Sequence, residues 1–285
     1  MSDSTIKEAF VLYHYNPSKA AAVIFILLFL GTSLYHAFQL FRNKTWYFIP
    51  FLIGGFFETL GYCGRAKSAS ESPDWTLGPY IMQSLLTLLG PTLFAASIYM
   101  ILGRIIRLTD GEECSIIRAK WLTKVFVMGD VLSFLAQSAG GGMLAQAKSA
   151  DDQKRGTNTI TGGLGIQVVF FGIFIVVAGI FHMRITKNPT VKSMSIPVPW
   201  QRYLLILYVA STFIMIRSIF RIAEYVQGQD GALLKTEVYL YIFDATLMFL
   251  TMVIFNIFHP SAIINKETLS KGEWAGQSSA QSYGV

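Results

Sequence analysis

The sequence predicts an all-α, polytopic membrane protein: a bundle of seven transmembrane helices, N-terminus outside, C-terminus cytosolic. Three observations carry this prediction. The 285 residues are 53% hydrophobic and only 14% charged, whereas a water-soluble domain carries about 25% charged residues. The apolar residues fall in seven long blocks, each near the roughly 20 residues needed to cross a bilayer. Finally, Lys and Arg are unevenly shared between the alternate loops, the asymmetry that sets membrane orientation.

The blocks run over about 20–41, 46–66, 79–103, 122–146, 160–182, 202–226 and 236–258. The first is too long for the core of a signal peptide and no small-residue cleavage pattern follows it. The chain divides into an extracellular tail (1–19), the seven-helix domain (20–259) and a polar cytosolic tail (260–285) expected to be disordered. One set of loops plus the C-terminal tail holds Arg42, Lys44, Arg104, Arg107, Arg118, Lys120, Lys124, Arg184, Lys187, Lys192, Arg202, Lys266 and Lys271. The other set holds Lys7, Lys19, Arg65, Lys67, Lys148, Lys154, Arg155 and Lys235. The richer side is cytosolic. Trp46, Trp121 and Trp200 then stand at the cytosolic starts of spans 2, 4 and 6, as an aromatic belt does. Cys63 and Cys114 fall on opposite sides and cannot pair. The sequon Asn43-Lys44-Thr45 is cytosolic, so no N-glycan is expected.

Ionisable residues inside these spans are the main functional signal. A charge at the bilayer centre costs roughly 2.5–3.5 kcal/mol. The sixth span carries three, Arg217, Arg221 and Glu224, against which its Leu, Ile, Val and Phe return only roughly 3–6 kcal/mol. Its polar face must therefore meet partners or water. Glu58, Gly61, Tyr62 and Arg65 follow the i, i+3, i+4, i+7 spacing of one helix face. The same spacing places Asp130, Ser133 and Gln137 on one face of span 4, and Glu237, Tyr241 and Asp244 on one face of span 7. Because span 7 runs opposite to spans 2, 4 and 6, most of these groups reach one level. The prediction is a polar cavity in the outer half, with Asp130 towards its floor. Five carboxylates (Glu58, Asp130, Glu224, Glu237, Asp244) face three arginines (Arg65, Arg217, Arg221). That excess leaves two acids without a basic partner and suits proton coupling. The bland alternative is an ion-pair lattice that only holds helices together, such as Arg217 or Arg221 with Asp244.

Gly90-Pro91 lies inside span 3, where Pro removes a backbone donor, kinks the helix and frees a carbonyl. Gly61, Gly90, Pro91, Gly140 and Gly141 are candidate hinge or packing positions, close helix contact being the simpler role for glycine runs. Gln83 and Gln167 are lone intramembrane amides suited to interhelical hydrogen bonds.

Several function classes lack their signatures. There is no GxxxxGK[ST] loop for ATP and no GxSxG elbow. His14, His36, His182 and His259 have no metal-ligand spacing, and no lysine inside span 7 could hold a retinal. We expect no catalytic residues, no metal, no cofactor and no nucleic-acid partner.

The segments ETLGYCGR (58–65), GPTLFAASIYMILGR (90–104), KVFVMGDVLSFLAQSAGGGM (124–143), GGLGIQ (162–167), RSIFRIAEYVQGQDG (217–231), YIFDATLM (241–248) and HP (259–260) occur in this order. Together they resemble the fungal lipid-translocating exporter family, the aminocholesterol-resistance proteins, which include a sphingoid long-chain-base exporter and a protoporphyrin transporter. The likeness covers about 20–260. It implies a seven-span fungal membrane protein with its N-terminus outside. By likeness Glu58, Gly61, Tyr62, Arg65, Pro91, Asp130, Gln137, Gly140, Arg217, Arg221, Glu224, Gly228, Glu237, Asp244, His259 and Pro260 occupy signature positions. Cys63, Thr157 (after Gly156, outside span 5) and Ser261 depart from the pattern.

The resulting expectation is an exporter or translocase of an amphiphilic lipid, such as a sphingoid base, in a fungal plasma membrane. Glu58, Asp130 and Asp244 would meet a cationic amine. Arg217 and Arg221 would hold those carboxylates ionised or bind an anionic headgroup, and Tyr62 and Tyr241 would offer hydroxyls. The competing readings are a seven-helix receptor or lipid sensor and, less favoured, a lipid-modifying enzyme.

Overall fold

A computed structural model describes residues 13, 15–147, 149–196, 198–227 and 231–262. Lys148, Gly228, His14, the rest of the N-terminal tail and residues 263–285 lie outside these. Among the described residues there are seven long helices and no strand. They are α1 (Lys19–Asn43), α2 (Ile49–Ser70), α3 (Leu77–Leu108), α4 (Ala119–Ala145), α5 (Ala150–Lys187), α6 (Trp200–Gln227) and α7 (Glu237–Ile257). Five of them, α1, α3, α5, α6 and α7, are long and apolar enough to cross a membrane. The other two, α2 and α4, have 22 and 27 residues, about 33 and 40 Å at 1.5 Å per residue. Their glycines and polar stripes dilute their apolar character. Large apolar side chains such as Leu27, Leu34, Phe41, Leu135, Val169 and Leu205 are exposed on the outside of the helices, as lipid solvent permits. This is a helical membrane protein.

Helix ends follow local chemistry. Ser18 caps α1 by accepting from Ala21 N at 3.3 Å, and α1 stops at Lys44, whose φ of 52° is left-handed. The helix α5 starts ten residues before its apolar block. Ser149 accepts from Asp152 N at 3.2 Å, and Asp151 and Asp152 fill the first turn, where acids suit the helix dipole. Thr157 therefore lies within α5, not outside it. Trp46 and Trp121 point outwards, but Trp200 is buried and donates from Nε1 to the Ser193 carbonyl at 3.2 Å. Its indole closes the short helical turn Val191–Ser195 instead of joining an aromatic belt. Residues Pro260–Ala262, placed in the tail by sequence, form a 3-10 turn. Cys63 and Cys114 are free thiols.

Consecutive helices pack side by side, α7 returns to α1, and α3 meets α6 across the ring. Glycines set the closest approaches. A Cβ on Gly61 would lie 2.8 Å from Thr87 Cγ2, and one on Gly64 would lie 2.9 Å from the Pro79 carbonyl, so α2 lies tight on α3. A Cβ on Gly140 would come 2.7 Å from the Gly156 carbonyl, and one on Gly163 would come 2.9 Å from that of Ser133. That brings α4 and α5 together. Gly141 differs: a Cβ there meets nothing within 4 Å.

Candidate functional site: a buried charge array

Three buried arginines, Arg65, Arg217 and Arg221, each take one carboxylate. Arg65 on α2 donates from Nη2 to Glu237 Oε1 at 2.7 Å. Arg217 on α6 donates from Nε to Asp244 Oδ1 at 2.5 Å. Arg221 donates from Nη1 to Glu224 Oε2 at 2.7 Å, one turn along the same helix. The Arg217–Asp244 pair is one of the two that the ion-pair-lattice alternative names, and Arg221 takes Glu224 instead.

Each arginine also has a second role. Arg65 reaches Tyr241 Oη at 3.1 Å and Tyr15 Oη at 2.7 Å, with its guanidinium over the rings of Tyr13, Tyr15 and Tyr241. Glu237 in turn accepts from the Ser18 backbone N–H at 2.9 and 3.0 Å, so one carboxylate joins the starts of α1 and α7 to the end of α2. Arg217 donates from Nη2 to the Thr87 carbonyl at 2.5 Å. Thr87 is four residues before Pro91, so its carbonyl is the acceptor that the missing prolyl N–H leaves free. The proline of α3 thus creates a docking point for the arginine of α6. Arg221 lies 5.6 Å from the Tyr225 ring centroid.

Two acids remain, Glu58 and Asp130, 1% and 2% exposed. Glu58 fits a notch in α3: a Cβ on Gly90 would lie 2.5 Å from Glu58 Oε1. Its electrostatic neighbours are Asp244, Arg217 and Arg221, yet Oε1 has no hydrogen-bond partner. Asp130 faces Tyr99, which sits among Phe126, Phe171 and Phe174. Tyr99 is its polar neighbour, but neither Asp130 oxygen makes a well-aligned hydrogen bond. The structure therefore brings Glu58, Arg217 and Asp244 together and leaves Asp130 in an aromatic surround.

The remaining predicted positions serve the frame around this array. Tyr62 is buried and stacks on Phe25, Phe29 and Tyr241. Ser133 Oγ donates to the Gly163 carbonyl at 2.7 Å, and Gln137 Nε2 donates to Ser133 Oγ at 2.6 Å and to Gln167 Oε1 at 3.3 Å. The amide of Gln83 is met by the N-terminal segment: Tyr13 Oη donates to its Oε1 at 2.7 Å. Among the described residues no group of three His, Cys, Asp or Glu could hold a metal.

Sequence reasoning missed three things: the two N-terminal tyrosines, Tyr99 and a stretch of backbone. Tyr13 and Tyr15 precede the first span and carried no periodic signal. Tyr99 lies on span 3, where only Gln83 and Gly90-Pro91 stand out from the apolar run. The third is the backbone of Tyr241–Thr246, which forms a π-helical segment, a feature that often marks functional sites. Thr246 Oγ1 donates to the Tyr241 carbonyl at 2.7 Å, five residues back. The wider turn carries Tyr241, which reaches Arg65, and Asp244, which reaches Arg217.

No solved structure matches this chain. Among curated proteins it is 37% identical to Protein RTA1 of Saccharomyces cerevisiae over 89% of its length and 86% of that protein. It is also 37% identical to Protoporphyrin uptake protein 1 of the same yeast, over 89% and 93% of the two chains. A more distant relative, the sphingoid long-chain base transporter RSB1, is 28% identical over 79% of this chain and 67% of its own. The family model described as RTA1 like protein matches residues 51–267, the stretch that holds every ionisable residue of the array, and the chain belongs to that family.

Proposed function

We propose that this chain is a translocase, working as an exporter, that carries single-chain cationic amphiphiles such as sphingoid long-chain bases across a fungal plasma membrane. All seven helices cross, with the N-terminus outside, in keeping with the Lys and Arg distribution. The observation that carries this reading is the leftover carboxylate. With every intramembrane arginine already paired, Glu58 is buried beside Arg217 and Asp244 without a countercharge of its own. Buried ionisable groups in a membrane domain mark substrate or ion paths, and an ammonium headgroup supplies the charge that Glu58 lacks. Asp130 offers a second such point. Family relatives named as lipid and sphingoid-base transporters support the substrate class. Catalysis has no part in this reading.

The test is the full chain reconstituted in liposomes, with a labelled sphingoid base in one leaflet and its arrival in the other followed with and without a pH gradient. Faster crossing than in empty liposomes, lost in Glu58→Gln at unchanged thermal stability, is expected. Crossing by Glu58→Gln at the wild-type rate would remove Glu58 from the route. Saturable binding without crossing would establish a sensor instead. Insensitivity to the gradient would exclude proton coupling.

A further inference from the structure

At one end of the bundle α3, α4, α5 and α6 part to leave a cleft of ≈ 150 Å³. Leu77, Ile81, Leu85 and Leu88 line one wall at successive turns of α3. The facing wall is bare backbone at Gly141 and Gly142, where an added Cβ would meet nothing within 4 Å. From Leu77 to Leu88 the helix rises about 16 Å, roughly half of the 30 Å hydrocarbon core. The cleft is therefore about one leaflet deep. Leu77 and Ile81 are also exposed on the bundle exterior, so it opens sideways towards lipid.

Polar groups stand in the same cleft. Gln137 and Ser138 project from α4. The amide nitrogen of Gln137 is already engaged by Ser133 and Gln167. Its Oε1, on a residue 4% exposed, and Ser138 Oγ are both buried without a partner. Tyr225, under the Arg221 guanidinium, lines another part of the cleft. A cavity of about this volume takes a benzene-sized guest, which suits part of one alkyl chain and is too small for a two-chain lipid. A buried acceptor without a partner calls for a hydrogen-bond donor.

We infer that this cleft binds a single-chain amphiphile with a hydrogen-bond-donating head, an amine or hydroxyl. The head seats on Gln137 Oε1 and Ser138 Oγ, and the chain runs along the leucine stripe and out through the side opening. The polar end then travels inside the bundle while the tail stays in the bilayer. The inference rests on the translocase reading and adds where the molecule sits.

Equilibrium binding of tritiated sphinganine to the full chain in phosphatidylcholine nanodiscs tests it. A Cβ on Gly141 meets no atom within 4 Å, so Gly141→Leu has room to start into the slot, and leucine is the better helix former. Binding should weaken at least tenfold at unchanged thermal midpoint. Gly162→Leu, at a glycine equally open but outside the cleft, should bind as the wild type does. Ser138→Ala should weaken binding about three- to tenfold, and it decides the matter if Gly141→Leu folds poorly. Wild-type affinity in both Gly141→Leu and Ser138→Ala, or no saturable binding to the wild type, would overturn the site. If those variants lose binding while the wild type moves no lipid in liposomes, the site stands and the translocase reading falls.

Discussion

Replacing Arg217 with methionine removes the only cation paired with Asp244 while keeping an apolar stem of similar length. The arginine and aspartate side chains are 0% and 3% exposed, so neither charge can turn to water. Removing one partner of such a pair costs about 3–5 kcal/mol, because the other is left buried and uncompensated. Hydrogen bonds between membrane helices are individually weaker, about 0.6 kcal/mol on average, which points to the lower end of that range. The expected loss for Arg217→Met is therefore about 3 kcal/mol, a fall of roughly 6–12 °C in thermal midpoint. Arg217→Met/Asp244→Leu removes both charges and should recover most of it, retaining a deficit of about 1 kcal/mol from the unpaired Thr87 carbonyl. Unfolding of the purified proteins in detergent, followed by intrinsic fluorescence, measures all three. A loss below about 1 kcal/mol for the single variant, or a double variant no more stable than the single, would refute the reasoning. Lipid crossing by the recovered double variant would show that this pair is scaffold and leave the transport role to Glu58.

Pro91→Ala restores an N–H for Thr87 O, so in the Arg217→Met/Asp244→Leu background it should return about 1 kcal/mol, seen as a higher midpoint. Gly64→Ala should destabilise by about 1–3 kcal/mol, because its Cβ would press on the Pro79 carbonyl and the Gln83 N–H. By contrast, Gly141→Ala should stabilise by up to about 0.8 kcal/mol; the same melting series checks both. Burial lowers the pKa of His259, beyond the end of α7, from 6.5 to about 4. Its contribution is present above pH 6.5 and is lost as the pH falls towards 4, because the unfolded chain takes up the proton first. The drop in midpoint between pH 6.5 and 4 should therefore be smaller in His259→Asn.

The polar stripes were legible because an α-helix places i, i+3, i+4 and i+7 on one face whatever surrounds it. Glu58, Gly61, Tyr62 and Arg65 needed only that spacing, and the surplus of two acids needed only a charge count. Which acids remained over was not legible, since it depends on how α2, α6 and α7 are set in rotation and height. Hydropathy located α5 but missed its first ten residues, where Ser149, Asp151 and Asp152 act through capping and contribute no apolar character. The π-helical turn at Tyr241–Thr246 left no sign, because Thr246 reads as an ordinary strand-tolerant residue until its hydroxyl meets a carbonyl five back. The proline-to-arginine contact was half legible: Pro91 announced a free carbonyl, but nothing in the chain named Arg217, 126 positions later, as its donor.

The link from Arg65 through Glu237 to the Ser18 backbone has a consequence for how the protein is made. Arg65 and Glu237 are 172 residues apart, and a ribosome adding about 5–20 residues per second needs roughly 9–34 s between them. During that interval the second helix carries its guanidinium without Glu237, and the amino end of the first helix waits without the same carboxylate. Arg221 finds Glu224 within a second, and Arg217 finds Asp244 within a few. The last long helix to be synthesised thus seals a seam opened by the first two, and a nascent chain released before residue 237 would carry Arg65 without its carboxylate, a charge that quality-control factors could recognise.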